Sequence, residues 1–157
     1  MISKTGIVTK DSELDALIEA ASKVNEVAFD TETNGLSHDR HMIGLSLAID
    51  VGGRYEGVYL PVRHEAGDDL FAVQPDNAPL GKTMDLMRSI FEREDMTIFI
   101  HNAKFDIGVM RNEGLDVSTI RAKIIDTRCV SWLLEPERQG GHGLKGLVRN
   151  ILNFNMG

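Results

Sequence analysis

The chain has 157 residues, 42% of them hydrophobic and 26% charged. That composition fits one globular domain over residues 1–157 with a packed core, and excludes both a two-domain protein and a disordered one. Net charge is −7, which excludes a protein that grips nucleic acid through a broad basic surface, because phosphate neutralisation needs clustered Lys and Arg.

Carboxylates that gather divalent cations remain compatible with a phosphate-bearing partner. The single cysteine, Cys129, excludes an internal disulfide framework and a cysteine-rich zinc site. No apolar run reaches bilayer length, so no membrane partner is expected. The opening Met1-Ile2-Ser3-Lys4-Thr5 lacks the apolar stretch of a secretory signal, and the expected location is cytoplasmic.

Along the chain, Thr5–Thr9 reads as a short strand. Leu14, Leu17, Ile18 and Ala21 recur at helical spacing after Ser12, the expected N-cap. Val24–Asp30 is an apolar run ending in acid, the pattern of a buried strand. Met42–Ile49 and Tyr55–Val62 flank Gly52-Gly53 and predict an antiparallel hairpin. Glu65–Pro79 reads as an irregular polar connection. Met84, Met87, Ile90 and Phe91 mark a second helix, Thr97–Ile100 a buried strand, and Asn102–Glu113 a helix stopped by Gly114. Lys123–Asp126 predicts a last strand, followed by a helix that Pro136 ends. Leu144, Leu147, Val148 and Ile151 form a final helical face. The order, a strand-rich start and then alternating helix and strand, predicts an α/β fold with a mixed sheet flanked by helices.

Two segments carry candidate chemistry. In Phe29-Asp30-Thr31-Glu32-Thr33-Asn34-Gly35-Leu36, alternate residues of an extended chain point the same way, so Asp30 and Glu32 share a face. Two carboxylates so close repel each other unless a cation lies between them, and oxygen-only ligands suit Mg²⁺ or Mn²⁺. In Ile100-His101-Asn102-Ala103-Lys104-Phe105-Asp106, Asn102 is placed to cap a helix and Asp106 lies one turn further on. If both strands end on one sheet edge, Asp30, Glu32 and Asp106 converge into the acidic cluster of a two-metal phosphodiester hydrolase.

Other features read as structural. Asp76 to Thr83 runs close to a phosphate-cradling loop, but Asp76 stands where its first glycine belongs and Pro79 removes an N–H. His38 and His41 sit in a polar turn and read as ordinary histidines rather than a zinc pair. Cys129 is expected to be packed rather than reactive.

Taken together, Phe29–Leu36, Tyr59-Leu60-Pro61-Val62, His101–Asp106, Ile125-Asp126-Thr127, Trp132-Leu133-Leu134 and Gly143-Leu144 resemble the proofreading 3′→5′ exonuclease domain of family A DNA polymerases. This is a branch of the DEDD superfamily with a ribonuclease H-like fold. The resemblance runs in order from about Val24 to about Leu152. It implies Asp30 and Glu32 as the metal-binding pair, and Asp106 as a ligand reaching a second ion largely through water. It also implies Leu36 as a wedge against the terminal base, Thr33 and Asn102 as neighbours of the 3′-terminal nucleotide, and Lys104 as a further substrate-binding position. Two Mg²⁺ or Mn²⁺ ions and a single-stranded DNA 3′ end are the implied cofactors and partner. The family's third motif, Tyr-x-x-x-Asp, does not occur: the only tyrosines are Tyr55 and Tyr59, and neither is followed four residues later by Asp. The expectation is therefore a fold incomplete at its C-terminus, whose activity needs that segment from a C-terminal fragment in trans or a neighbouring polymerase domain. The alternative is an inactive remnant that binds nucleic acid or a polymerase. Asp126 matches another family position and is expected to be structural.

Overall fold

A computed structural model of the protein describes residues 6–50, 52–66 and 73–156. Its centre is a six-stranded sheet. β2 (Glu26–Thr33), β3 (Met42–Asp50) and β4 (Tyr55–Pro61) form an antiparallel meander. On one side β1 (Gly6–Ile7) runs parallel to β4, and on the other β5 (Thr97–Ile100) and β6 (Lys123–Asp126) run parallel to β2, giving the order β1-β4-β3-β2-β5-β6. Helices α1 (Asp11–Ser22), α2 (Leu80–Phe91), α3 (Ala103–Asn112), α4 (Thr127–Leu134) and α5 (Leu144–Leu152) complete it. The mixed sheet and flanking helices agree with the α/β, ribonuclease H-like expectation.

The two faces of the sheet differ in composition, as a period-2 pattern dictates. One face carries the pairs Val27–Ile49, Phe29–Leu47 and Thr31–Leu45, with Leu60 and Ile98 beside them, all buried. Leu14 and Leu17 of α1 and Met87, Ile90 and Phe91 of α2 join the same core. Phe29 meets Phe91 edge to face with centroids 5.4 Å apart, a contact worth about 1 kcal/mol beyond its buried area. The other face carries Ala28–Ala48, Asp30–Ser46 and Glu32–Gly44. These pairs are small or polar, the aromatic Phe99 and Tyr59 stand beside them, and the face stays open around a groove of about 540 Å³ running from Ile7 to His101 and Leu144.

Several sequence expectations are corrected. The cap of α1 is not Ser12: the helix starts at Asp11, and the Glu13 carboxylate turns back to accept from the Thr9 and Lys10 amides, both at 3.2 Å. The first strand is shorter than expected, and Thr5 lies outside the described residues. β2 does not end at Asp30. It continues to Thr33 because β3 pairs with it as far as Met42, with a bulge between Glu32 and Thr33. Asn102 does not cap α3 with its side chain; it sits in the left-handed region, φ 72°. The cap is Asp126, whose carboxylate accepts from Asn102 N (3.0 Å) and Ala103 N (2.9 Å) and also from Arg128 N (2.9 Å) and Cys129 N (3.4 Å) at the start of α4. Cys129 is exposed rather than packed, and of the predicted apolar face of α5 only Leu147 is buried, because nothing among the described residues covers the outer sides of these two helices. Lys82, in the stretch resembling a phosphate loop, instead ties α2 to α1 through Asp15 at 2.7 Å.

Burial pushes the Asp126 carboxyl up, but the amide bonds at two helix starts outweigh it and hold the group below the usual carboxylate range. A depressed carboxylate contributes stability at neutral pH that is lost as pH falls through its folded value. Asp126→Ala is therefore expected to cost about 2 kcal/mol, roughly 1 for each uncapped helix, in urea unfolding at pH 7. The deficit should shrink as the titration is repeated towards pH 3.

Candidate active site

The carboxylates of Asp30 and Glu32 lie on the open face at the end of β2 beyond the reach of β5, whose pairing with β2 stops at Phe29–Ile100. Among the described residues, neither carboxylate accepts a hydrogen bond or enters an ion pair. Burial raises the Asp30 pKa first, then the negative charges of Asp106 and Glu32, while His101 opposes them; the result is about 6.

Asp106, on the first turn of α3, is 2% exposed. Its Oδ1 accepts from Thr31 N at 2.9 Å and from Thr31 Oγ1 at 2.7 Å. Thr31 is the residue between the two open-face acids, on the opposite side of the strand. Burial raises the Asp106 carboxyl, and the Thr31 bonds and the Arg40 charge partly counter this. The expected convergence of all three carboxylates is thus only partial. Asp106 is close enough to raise Asp30, yet it is turned to Thr31. Among the described residues no three of His, Cys, Asp and Glu form a ready-made metal cluster.

The remaining candidate residues are divided over separate surfaces. Leu36 is 85% exposed and stands at the lip of a pocket shared with Glu32, Thr33 and Phe105. Thr33 keeps its hydroxyl on the Gly35 carbonyl at 2.7 Å. Asn102 and Lys104 line a different groove, along the outer side of α3, and Asn102 Oδ1 accepts from Arg128 at 3.2 Å. The sequence reading did not single out Tyr59 and His64 as side chains of this site. The Tyr59 hydroxyl lies 2.7 Å from His64 Nε2. Burial first, and then Glu32, push the phenol upward. The ring passes over Gly44, where any β-carbon would collide with the hydroxyl. The signal was present in the register: Gly44 faces Glu32 across one ladder, and Tyr59 faces Ser46 across the next.

A carboxyl raised on folding binds its proton more tightly than in the unfolded chain, so its contribution is present below the usual carboxylate range and lost as pH rises through about 6. Without divalent cations, Asp30→Asn should raise the thermal midpoint at pH 8 and leave it unchanged near pH 4. The gain should be small because Asp30 keeps contact with solvent. Scanning calorimetry at the two pH values checks the sign.

The profile of a family described as 3′-5′ exonuclease matches residues 5–157. DNA polymerase I of Treponema pallidum (strain Nichols) is 30% identical over 176 aligned positions, which cover 94% of this chain and 17% of that polymerase. Among solved structures, Escherichia coli RNase D, an exoribonuclease, superposes with a TM-score of 0.67 at 17% identity over 98% of this chain and 35% of that one. Brucella melitensis NrnC with bound Mg²⁺ superposes at 0.60 with 19% identity, covering 98% and 63%. At those identities the two structures speak for the fold alone. The chain spans about one sixth of the polymerase it matches, 17% of its length. It belongs to the 3′-5′ exonuclease family found in family A DNA polymerases, with the ribonuclease H-like fold of the DEDD exonucleases.

Proposed function

We propose that the chain is the proofreading 3′→5′ exonuclease unit of a DNA polymerase, acting on single-stranded DNA 3′ ends with two divalent cations, Mg²⁺ or Mn²⁺. The observation that carries it is the pair of carboxylates, Asp30 and Glu32, side by side on an open sheet face and, among the described residues, without a hydrogen bond or ion pair. Asp106 adds its charge to the Asp30 side. Such a site fits hard, oxygen-seeking ions. When bound, these ions activate water and stabilise the leaving 3′ oxygen. In this reading Asp30 and Glu32 hold the ions, and Asp106 joins them through water while keeping β2 and α3 together. Leu36 packs on the terminal base, with Thr33 at its edge. Asn102 and Lys104 approach the phosphate from α3.

The 157 residues contain no Tyr-x-x-x-Asp segment. A helix bearing one has a place to pack: the apolar groove of about 540 Å³ that opens onto Asp30 and His101.

Two outcomes follow. Calorimetric titration with Mn²⁺ should detect binding to the wild-type chain, weakened at least 10-fold in Asp30→Asn, a loss of about 1.4 kcal/mol. Equal affinities in the two proteins would remove the cation reading. Residues 1–157 alone should digest a 3′-labelled oligodeoxynucleotide poorly, since a misplaced nucleophile costs on the order of 100-fold. A Tyr-x-x-x-Asp helix joined after Gly157 should restore digestion, and Asp30→Asn should abolish it again. Strong digestion by the bare chain would instead make another acid the missing ligand.

A further inference from the structure

Tyr59 and His64 form a side-chain pair beside the acids that the proposed chemistry does not use. Across the open face the register sets out two rows. Asp30, Ser46 and Tyr59 share one, and Glu32, Gly44 and Pro61 share the next. Tyr59 does not stay in its own row. Its ring leans over Gly44, so that a β-carbon built there would overlap the phenol oxygen. The hydroxyl thus occupies the place that a side chain at Gly44 would fill. Facing β-carbons of an antiparallel pair stand about 5 Å apart, which puts the hydroxyl beside Glu32. The Glu32 charge is accordingly felt by the phenol, second to burial in pushing it upward. No hydrogen bond joins the two among the described residues, and the gap is one that a bridging water or a turn of the Glu32 side chain closes.

The pair is held from behind. The Tyr59 hydroxyl lies 2.7 Å from His64 Nε2, and the two rings meet edge to face with centroids 5.8 Å apart. His64 is fixed through its main chain. Its amide donates to Asn77 Oδ1 at 2.8 Å, and its carbonyl accepts from Asn77 Nδ2 at 2.9 Å and from Gln74 Nε2 at 3.0 Å. One asparagine therefore takes both main-chain groups of His64 and stands its ring against the phenol. Packing alone does not account for this. Glycine inside a strand costs about 0.5–1 kcal/mol, and a phenylalanine would cover Gly44 as well as a tyrosine does. The hydroxyl and its histidine are left over. With His64 Nε2–H donating to the phenol oxygen, the phenol O–H is free to donate onward, and the carboxylate of the row it leans into is Glu32.

We infer that Tyr59 is a positioning residue for Glu32: its hydroxyl, oriented by His64, is the donor that the Glu32 carboxylate meets, directly or across one water, and it holds that carboxylate towards Asp30. Glu32 is exposed, and fixing a long exposed side chain costs rotamer entropy. A donor already locked in place by β4 and Asn77 lowers that cost before a cation arrives. This rests on the cation reading and deepens it: one of the two acids takes its orientation from a strand two places away in the sheet.

The test uses residues 1–157 with tyrosine carbon-13 labelled at the ring carbon that bears the hydroxyl. Tyr55 and Tyr59 are the only tyrosines, so the spectrum holds two signals, and Tyr55→Phe assigns them. In EDTA, Glu32→Gln and His64→Leu should each move the Tyr59 signal and leave that of the exposed Tyr55 in place. In calorimetry, Tyr59→Phe, which keeps the ring over Gly44, should bind Mn²⁺ roughly 3- to 10-fold more weakly than wild type, the worth of one hydrogen bond. His64→Leu should weaken it in the same direction. In a Glu32→Gln background, Tyr59→Phe should cost nothing further. Circular dichroism confirms folding, and the signal shifts decide the matter even if Tyr59→Phe fails to fold. A Tyr59 signal indifferent to Glu32→Gln overturns the positioning role, as does wild-type Mn²⁺ affinity in a folded Tyr59→Phe protein. In either case a loss of binding in Asp30→Asn leaves the cation reading in place. An equal Tyr59→Phe loss in the Glu32→Gln background overturns the role too, by assigning the hydroxyl to Asp30 or to the fold. A wild type that binds no Mn²⁺ would sink both readings.

Discussion

The site depends on one buried hydrogen-bonded group, the Asp106 carboxylate on Thr31. β5 accompanies β2 only as far as Phe29 and then turns into α3. The amide of Thr31, on the side β5 has vacated, would be left without a partner in the interior, which costs on the order of 1–3 kcal/mol. Asp106 supplies the acceptor that the strand no longer does, and the Thr31 hydroxyl adds a second bond to the same oxygen. This fixes the height of α3 against β2 at the residue between Asp30 and Glu32. The positions of the two open-face acids relative to the helix follow from it, and the repulsion that adds to burial in raising Asp30 is its electrostatic consequence.

That repulsion separates this cluster from the other buried carboxylate of the fold. Glu113, at the C-terminal end of α3, is also enclosed, but Arg63 meets it at 2.7 and 2.8 Å and the Met42 amide at 2.9 Å. Burial would raise it, yet these partners hold it below its usual range. One end of α3 thus carries a compensated charge that fastens it to the ends of β3 and β4. Beside the other end lie Asp30 and Glu32 of β2, which among the described residues accept no hydrogen bond and enter no ion pair. A fold that satisfies Glu113 and leaves Asp30 and Glu32 without a bond among the described residues has kept its unrelieved repulsion on the open face of the sheet.

Much of this was legible in the sequence because it rests on local periodicity. Alternation along Glu26–Thr33 put Asp30 and Glu32 on one face, and the apolar runs located the strands and helices within a few residues. What was not legible depends on partners distant in sequence. Asn102 looks like a cap because it stands before a helix, but Asp126, 24 residues later, takes the amides. Asp106 looks like a free helix-dipole acid until Thr31, 75 residues earlier, is seen to bond it. Cys129 was expected to be packed because its helix carries an apolar pattern, and the described residues supply no cover for it or for most of the apolar face of α5.

The sharing of Asp126 between two helices has a dynamic consequence. Two helices capped by separate residues can fray independently, each amide exchanging with solvent at its own rate. Here the first amides of α3 and α4 answer to one carboxylate, so a local opening that displaces it exposes both sets at once. Hydrogen exchange at Ala103 and Arg128 should then be correlated, with similar protection and a common response to denaturant, as expected of one cooperative unit. α3 also carries Asp106, so such an opening would loosen the helix that holds the acid bonded to Thr31.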